Sequence, residues 1–226
     1  DNDPKIFGNY NYLDEYVEKM IWNYAYLNKG LSLIYNGKKI QSKKGLFDLL
    51  NNNLQENESL YPIIHLSAGS FEFAFTHSDK VFTEEHYSFV NGQHTTQGGT
   101  HQSAFREALV KVLKDFFKKD YDPSDIRSGL VASISLRINE PVFESQTKTK
   151  LGSTNMMPDG SGQAVRTFIL DAVKSTLDDY LHINSDVAEL LLQKIIRNEK
   201  ERKGMQNVKK LAKESAKKVS LTNRKL

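Results

Sequence analysis

Ser70-Phe71-Glu72-Phe73-Ala74-Phe75-Thr76 is the stretch on which the fold turns. Phe71, Phe73 and Phe75 alternate with smaller or polar residues, and a period of two gives an extended strand one heavily apolar face. Ile63 to Leu66 before it and His86 to Asn91 after it are short, aromatic or β-branched, and bounded by turn residues. Further on, Leu130 to Ile138 is a long apolar strand. Thr100 to Lys118 lies between these strands and puts Phe105, Leu109, Val112, Leu113 and Phe116 on the inner face of an amphipathic helix.

The flanks follow from this centre. Tyr12 to Asn28 reads as a helix, because Leu13, Tyr16, Val17, Met20, Ile21, Tyr24 and Leu27 recur every three or four residues and form one apolar face. Asn28-Lys29-Gly30 ends it with a base and then a glycine. Leu31 to Tyr35 is a strand, Asn36-Gly37 a turn before Lys38-Lys39-Ile40, and Gly45 to Leu54 a short helix. Asp122-Pro123-Ser124 breaks the chain and can cap the next turn. Gly152 to Gly162 is a loop, Ala164 to Leu181 a helix, and Asp186 to about Lys218 one long helix, apolar early and basic late. The order predicts an α+β domain: a mixed sheet of about four main strands, helices on one face, and a protruding C-terminal helix. The expected division is a domain at residues 1–184 and the long basic helix at 185–226.

The chain has 226 residues and no cysteine, which excludes disulfides and thiolate metal sites and makes a reducing cytoplasm the expected compartment. No metal site is predicted, and no apolar run approaches the roughly 20 residues that span a bilayer. The first residue is Asp1, not Met, which points to a longer parent protein. Net charge is only +3, yet twelve bases against three acids follow from Lys194 onward, including Lys209, Lys210, Lys213 and Lys217. Such a tail suits a polyanion, and equally a solvated helix face.

Two segments carry candidate chemistry. Gln97-Gly98-Gly99-Thr100-His101 opens a helix. A glycine pair there lets the backbone turn sharply and approach another group, and the first helical N–H groups can face an anion. Glu144-Ser145-Gln146-Thr147-Lys148-Thr149-Lys150-Leu151 follows the long strand and Pro141. If extended, it would point Gln146, Lys148 and Lys150 to one side, an amide and two ammonium groups suited to phosphate oxygens. A solvated basic loop accounts for the same spacing.

Together these segments resemble one family. Gln97-Gly98-Gly99-Thr100-His101, Phe105-Arg106-Glu107-Ala108-Leu109, Asp125-Ile126-Arg127-Ser128-Gly129-Leu130 and Pro141-Val142-Phe143-Glu144-Ser145-Gln146-Thr147-Lys148-Thr149-Lys150-Leu151 look like the transducer domain of the gyrase B and topoisomerase IV B proteins, the ATPase subunits of the bacterial type IIA DNA topoisomerases. Asp3-Pro4-Lys5-Ile6-Phe7 to Leu31 looks like the segment where that region begins. Tyr87-Ser88-Phe89-Val90-Asn91 and Gln97-Gly98-Gly99 look more like topoisomerase IV.

The resemblance implies a ribosomal-protein-type fold with a left-handed β-α-β crossover, against the usual right-handed rule. It implies a transducer that couples ATP binding and hydrolysis in a separate N-terminal domain to DNA strand passage. Lys148 would be catalytic, touching the ATP γ-phosphate with help from Gln146. Arg106 would face the cavity that holds DNA, and Lys209, Lys210, Lys213 and Lys217 would add DNA contacts. The implied cofactors of the parent are ATP and Mg, with neither expected on this chain alone, which should be inactive. The implied partners are DNA, the topoisomerase A subunit, and a second copy of the B subunit, with no membrane. The family's general-base glutamate, its ATP lid and its acidic cleavage cluster have no matching positions here, and the Asn155 to Gly162 loop is longer than the family pattern suggests. A small-molecule kinase of the same half-fold would need its own Gly-Ser-rich phosphate loop, which is absent. A stand-alone basic nucleic-acid-binding module would explain the tail but not Gln146 to Lys150.

Overall fold

A computed structural model describes residues 13–54 and 58–222, the side chains of 215–222 excepted. The stretch Asp3 to Phe7, expected to begin the region, lies outside the described residues, as does the side chain of Lys217.

Helix α1 (Asp14–Leu27) leads into a hairpin of β1 (Ser32–Tyr35) and β2 (Lys38–Gln41), and then α2 (Leu46–Asn53). Asn36 and Gly37 both take positive φ, 48° and 76°, as a tight hairpin turn requires. The main sheet is built from β3 (Ile64–Ala68), β4 (Phe71–His77), β5 (Glu84–Val90), β6 (Gln93–His94) and β7 (Leu130–Leu136), in the order β3-β4-β7-β5-β6. β7 is central, antiparallel to β4 and parallel to β5. A parallel neighbour needs a crossover, and α3 (Thr100–Phe117) and α4 (Pro123–Arg127) supply it. Asp122 caps α4 by accepting a hydrogen bond from the Ser124 N–H at 2.8 Å. Helices α5 (Val165–Ile183) and α6 (Ser185–Thr222) follow.

The period-two reading of β4 matches its packing. Phe71, Phe73 and Phe75 are fully buried and stack along the strand, with centroids 5.6 and 6.4 Å apart, and Phe105 of α3 tilts against Phe73 at 5.5 Å. Ile64 of β3 and Leu130, Ala132, Ile134 and Leu136 of β7 share this face, which α3 and α5 cover.

Two corrections concern the sheet. It has five strands, because the two-residue β6 adds an edge too short for any sequence period to reveal. Its helices also lie on both faces. Ala74, Phe89 and Val131 point away from the main core and pack against Tyr26 of α1 and Leu46, Leu49 and Leu50 of α2. These three positions alternate with the main-core residues on their own strands, so each central strand is buried on both sides.

Another correction falls on α1. Its predicted apolar face is open: Leu13, Tyr16, Met20 and Tyr24 are exposed, and burial begins only at Ala25 and Tyr26. α1 joins an apolar cluster only through its C-terminal turns, while Asp14 and Glu18 pair with Tyr35 and Lys38 of the hairpin, so helical spacing located the stripe but not a partner for it.

α6 is docked before it becomes exposed. Val187, Ala188, Leu191 and Ile195 join the main core. Lys194 and Arg197 both bind Asp79, at 2.8 and 2.6 Å. Asn198 donates to the carbonyls of Asp125 and Ser128, and Arg202 grips the buried Asp125 carboxylate with two bonds of 2.7 and 2.8 Å. Beyond this clamp the described side chains of α6 are exposed.

Candidate functional site

The two segments singled out in the sequence meet in space. After β7 the chain turns back so that Phe143 and Leu151 face each other, and Leu151 also runs parallel to Gly99 at the start of α3. The bonds are backbone to backbone. Gln97 N–H donates to the Thr149 carbonyl at 2.9 Å, Leu151 N–H to the Gly98 carbonyl at 3.0 Å, and Thr100 N–H to the Leu151 carbonyl at 3.1 Å. The Thr100 hydroxyl adds a bond of 2.6 Å to the Ser153 carbonyl. No side chain caps α3, so the loop backbone does.

This explains the glycine pair. Gly99 has φ +129°, and a Cβ on it would stand 2.3 Å from the Leu151 oxygen and 2.5 Å from its nitrogen. A side chain at Gly99 and the loop cannot share the space. The Thr100 N–H, one of the groups that could have faced an anion, is spent on the loop.

Gln146 to Lys150 is not extended, so the alternating-face expectation is corrected. Lys148 N–H donates to the Ser145 carbonyl at 3.0 Å, closing a tight turn, and Lys148 has φ +55°. The left-handed region costs a non-glycine residue roughly 1 kcal/mol. The three candidate side chains consequently separate. Gln146 and Lys148 are exposed on the turn, with the Lys148 ammonium 6.0 Å from the Phe143 ring centroid. Lys150 sits at the base of the turn, paired with Glu144 at 2.9 Å. Lys148 thus stands exposed at positive φ on a turn whose base is tied by backbone bonds to the start of α3.

Arg106 is on α3 but is not a free cation. Its guanidinium bonds both oxygens of Glu84, with 2.9 Å between Nε and Oε2. Glu84 is also bonded by His86 at 2.9 Å and lies 3.6 Å from Arg127. Burial works to raise the Glu84 pKa, but hydrogen bonds from His86 and Arg106 and the charge of Arg106 outweigh it and hold the carboxyl at about 2. Lys209, Lys210 and Lys213 are exposed on the far part of α6.

Sequence alone assigns no role to Glu84, Thr95 or His101. The burial of His101 was detectable, because it falls on the helical face shared by Ala104, Phe105 and Ala108. His86 lies only two residues from Glu84, but Arg106, the partner that balances its charge, comes from 22 residues away.

The family model for DNA gyrase B matches residues 13–211. The chain belongs to the DNA gyrase B family. A DNA topoisomerase 4 B subunit from Borreliella burgdorferi is 41% identical over 218 residues, covering 96% of this chain and 35% of its own length. A DNA gyrase B subunit from Helicobacter pylori is 30% identical over 213 residues, covering 86% of this chain and 26% of its own. The chain thus spans about a third or less of these family members. The solved 43K ATPase domain of Thermus thermophilus gyrase B superimposes with a TM-score of 0.70 at 24% identity, over 92% of this chain and 59% of that one. That likeness speaks for the fold.

The geometry makes the glycine and the carboxylate testable. Gly99→Ala should destabilise the chain by more than about 1 kcal/mol, because it combines a positive φ with a backbone clash. Gly204→Ala, in open space on α6, should be neutral or stabilise locally by up to about 1 kcal/mol. Denaturant melts of the two variants check this. Glu84 is depressed in the folded state, so its contribution to stability is complete above about 4.5, the ordinary carboxyl value, and is lost as pH falls toward 2. Glu84→Gln should be less stable at pH 7 and should lose less stability between those two pH values. Parallel slopes in the two proteins would show that the cluster does not anchor the Glu84 charge.

Proposed function

We propose that this chain is the transducer part of a type IIA topoisomerase B subunit. It couples ATP binding and hydrolysis in an N-terminal ATPase domain to DNA strand passage. The observation that carries this reading is the exposed Lys148 turn, tied by Leu151 to the glycine-led start of α3. A transferred phosphoryl group needs a positioned cation where charge develops. A lysine on one rigid body that touches a phosphate bound by another also registers whether that phosphate is present. In this reading Gln146 donates a neutral hydrogen bond beside Lys148, and Lys150 holds the turn through Glu144.

The parent protein would bind ATP and Mg in its other domain, pair with a second copy of itself, join the A subunit of the topoisomerase, and act on DNA in the cytoplasm. Residues 1–184 form the transducer, and 185–226 carry the chain toward the cleavage domain. The parallel β5–α3–β7 connection is read as the left-handed, ribosomal-protein-type crossover. The 41% identity to a topoisomerase IV relative, against 30% to a gyrase relative, supports the topoisomerase IV branch.

In the full-length protein, Lys148→Ala should leave nucleotide affinity close to normal and lower ATP turnover roughly a hundred- to a thousandfold. Lys150→Ala should be milder. Steady-state ATPase beside equilibrium nucleotide binding tests both, and near-normal turnover in the Lys148 variant would remove the basis of the reading. Lys209, Lys210, Lys213 and Lys217 supply sequence-independent DNA affinity, and Arg106 supplies less because Glu84 already binds it. Replacing the four lysines with glutamine should reduce the log–log salt slope of DNA binding by about 0.9 for each phosphate no longer neutralised. An unchanged slope would turn the tail into a solvated helix.

A further inference from the structure

We propose that His101 is a positioning residue that fixes, through Thr95, the segment from which the Lys148 turn is hung. This rests on the reading of Lys148 as the phosphate contact. Residues 97 to 100 supply the bonds to Thr149 and Leu151, and those residues form a tight loop containing Gly98 and Gly99, both at positive φ. Two glycines in succession leave a backbone with little stiffness of its own. Something must close the loop from inside.

His101 does so. Its Nε2 lies 3.2 Å from the Thr95 hydroxyl, bridging the first turn of α3 to the residue after β6. The Thr95 hydroxyl donates to the Ser88 carbonyl at 2.9 Å, and Thr95 N–H donates to the same carbonyl at 2.8 Å. The Thr95 hydroxyl also lies 2.8 Å from the Ser88 hydroxyl, so the residue that His101 meets is tied to β5 through both its backbone and its side chain. Gly98 N–H returns to the Thr95 carbonyl at 2.9 Å. The result is a closed circuit from β5 through Thr95 and His101 to the backbone that grips Leu151.

A second observation separates this from ordinary core packing. His101 is fully buried, and its Nδ1 has no hydrogen-bond partner among the described residues. An apolar residue would fill the position without an unsatisfied ring nitrogen. The imidazole is therefore kept for the bond that its other nitrogen makes. Burial lowers its pKa to about 4, so the ring is neutral near pH 7 and carries one N–H and one free lone pair for this contact.

The test compares His101→Leu, His101→Gln and Thr95→Val in the full-length protein, each alone and combined with Lys148→Ala. ATP turnover and nucleotide affinity are measured for every variant. His101→Leu should lower turnover on the order of ten- to a hundredfold by displacing Lys148, with affinity for nucleotide little changed. His101→Gln, whose amide can place an N–H near the Nε2 position, should recover most of the loss. On the Lys148→Ala background, His101→Leu should cost nothing further, because its effect runs through Lys148. Normal turnover in His101→Leu, or losses that multiply with Lys148→Ala, would overturn the proposal. Should His101→Leu fail to fold, Thr95→Val breaks the same bond and is judged by the same criteria. If Lys148→Ala itself turns over normally, the phosphate-contact reading fails and this proposal with it. If Lys148 is needed but His101 and Thr95 are not, only this proposal fails.

Discussion

The contact between the backbones of Gly99 and Leu151 is the constraint that the rest of the site depends on. Backbone hydrogen bonds are short and directional, and a pair of them fixes both distance and register. A loop held only by side chains could slide by a rotamer. A loop held by Gly98, Thr100 and Leu151 cannot shift without breaking bonds in a buried place, where each broken bond leaves an unsatisfied polar group. The base of the exposed Lys148 turn thus belongs to the frame of α3.

That frame extends beyond the site. α3 is packed along its length through Phe105, Leu109, Val112 and Leu113, all buried in the main core. Close-packed interiors respond to displacement by moving whole elements, not by absorbing it locally. At the other end of the crossover lies α4, whose Asp125 is gripped by Arg202 of the long helix. A force on the Lys148 turn therefore meets one helix, one crossover and one charged clamp before it reaches exposed α6. The sheet backs this contiguous path through β7, which is buried on both faces.

The fold was legible where a period was strong. Phe71, Phe73 and Phe75 declared the central face, and each major helix fell within a few residues of its expected bounds. The second face was hidden because Ala74, Val131 and Phe89 read as the weaker phase of the same alternation. The loop geometry was hidden for another reason. An extended reading of Gln146 to Lys150 presumes strand dihedrals, whereas the Lys148 N–H closes a turn on Ser145 and Lys148 itself takes a positive φ. The resemblance linked the two motifs by order and spacing along the chain, and their contact, with Gly99 as room for Leu151, could be seen only with both backbones placed.

Charge shows most clearly how counting differs from placement. The tail holds twelve bases and three acids, which by composition alone suggests a continuous polyanion-binding surface. In the fold, Lys194 and Arg197 are bound by Asp79, Arg202 by Asp125 and Lys203 by Glu199, so four of the first five bases of the run are ion-paired. Those bases work inward, setting where the helix leaves the body. Lys209, Lys210 and Lys213 come after the clamp, exposed and without an ion pair among the described residues. Arg106 belongs with the first group, because Glu84 already balances it. A long-range field arises from unbalanced charge and is screened within about 8 Å at physiological salt. The unbalanced positive charge among the described residues therefore lies on α6 at Lys209, Lys210 and Lys213, while the bases nearer the core tie the helix to the body.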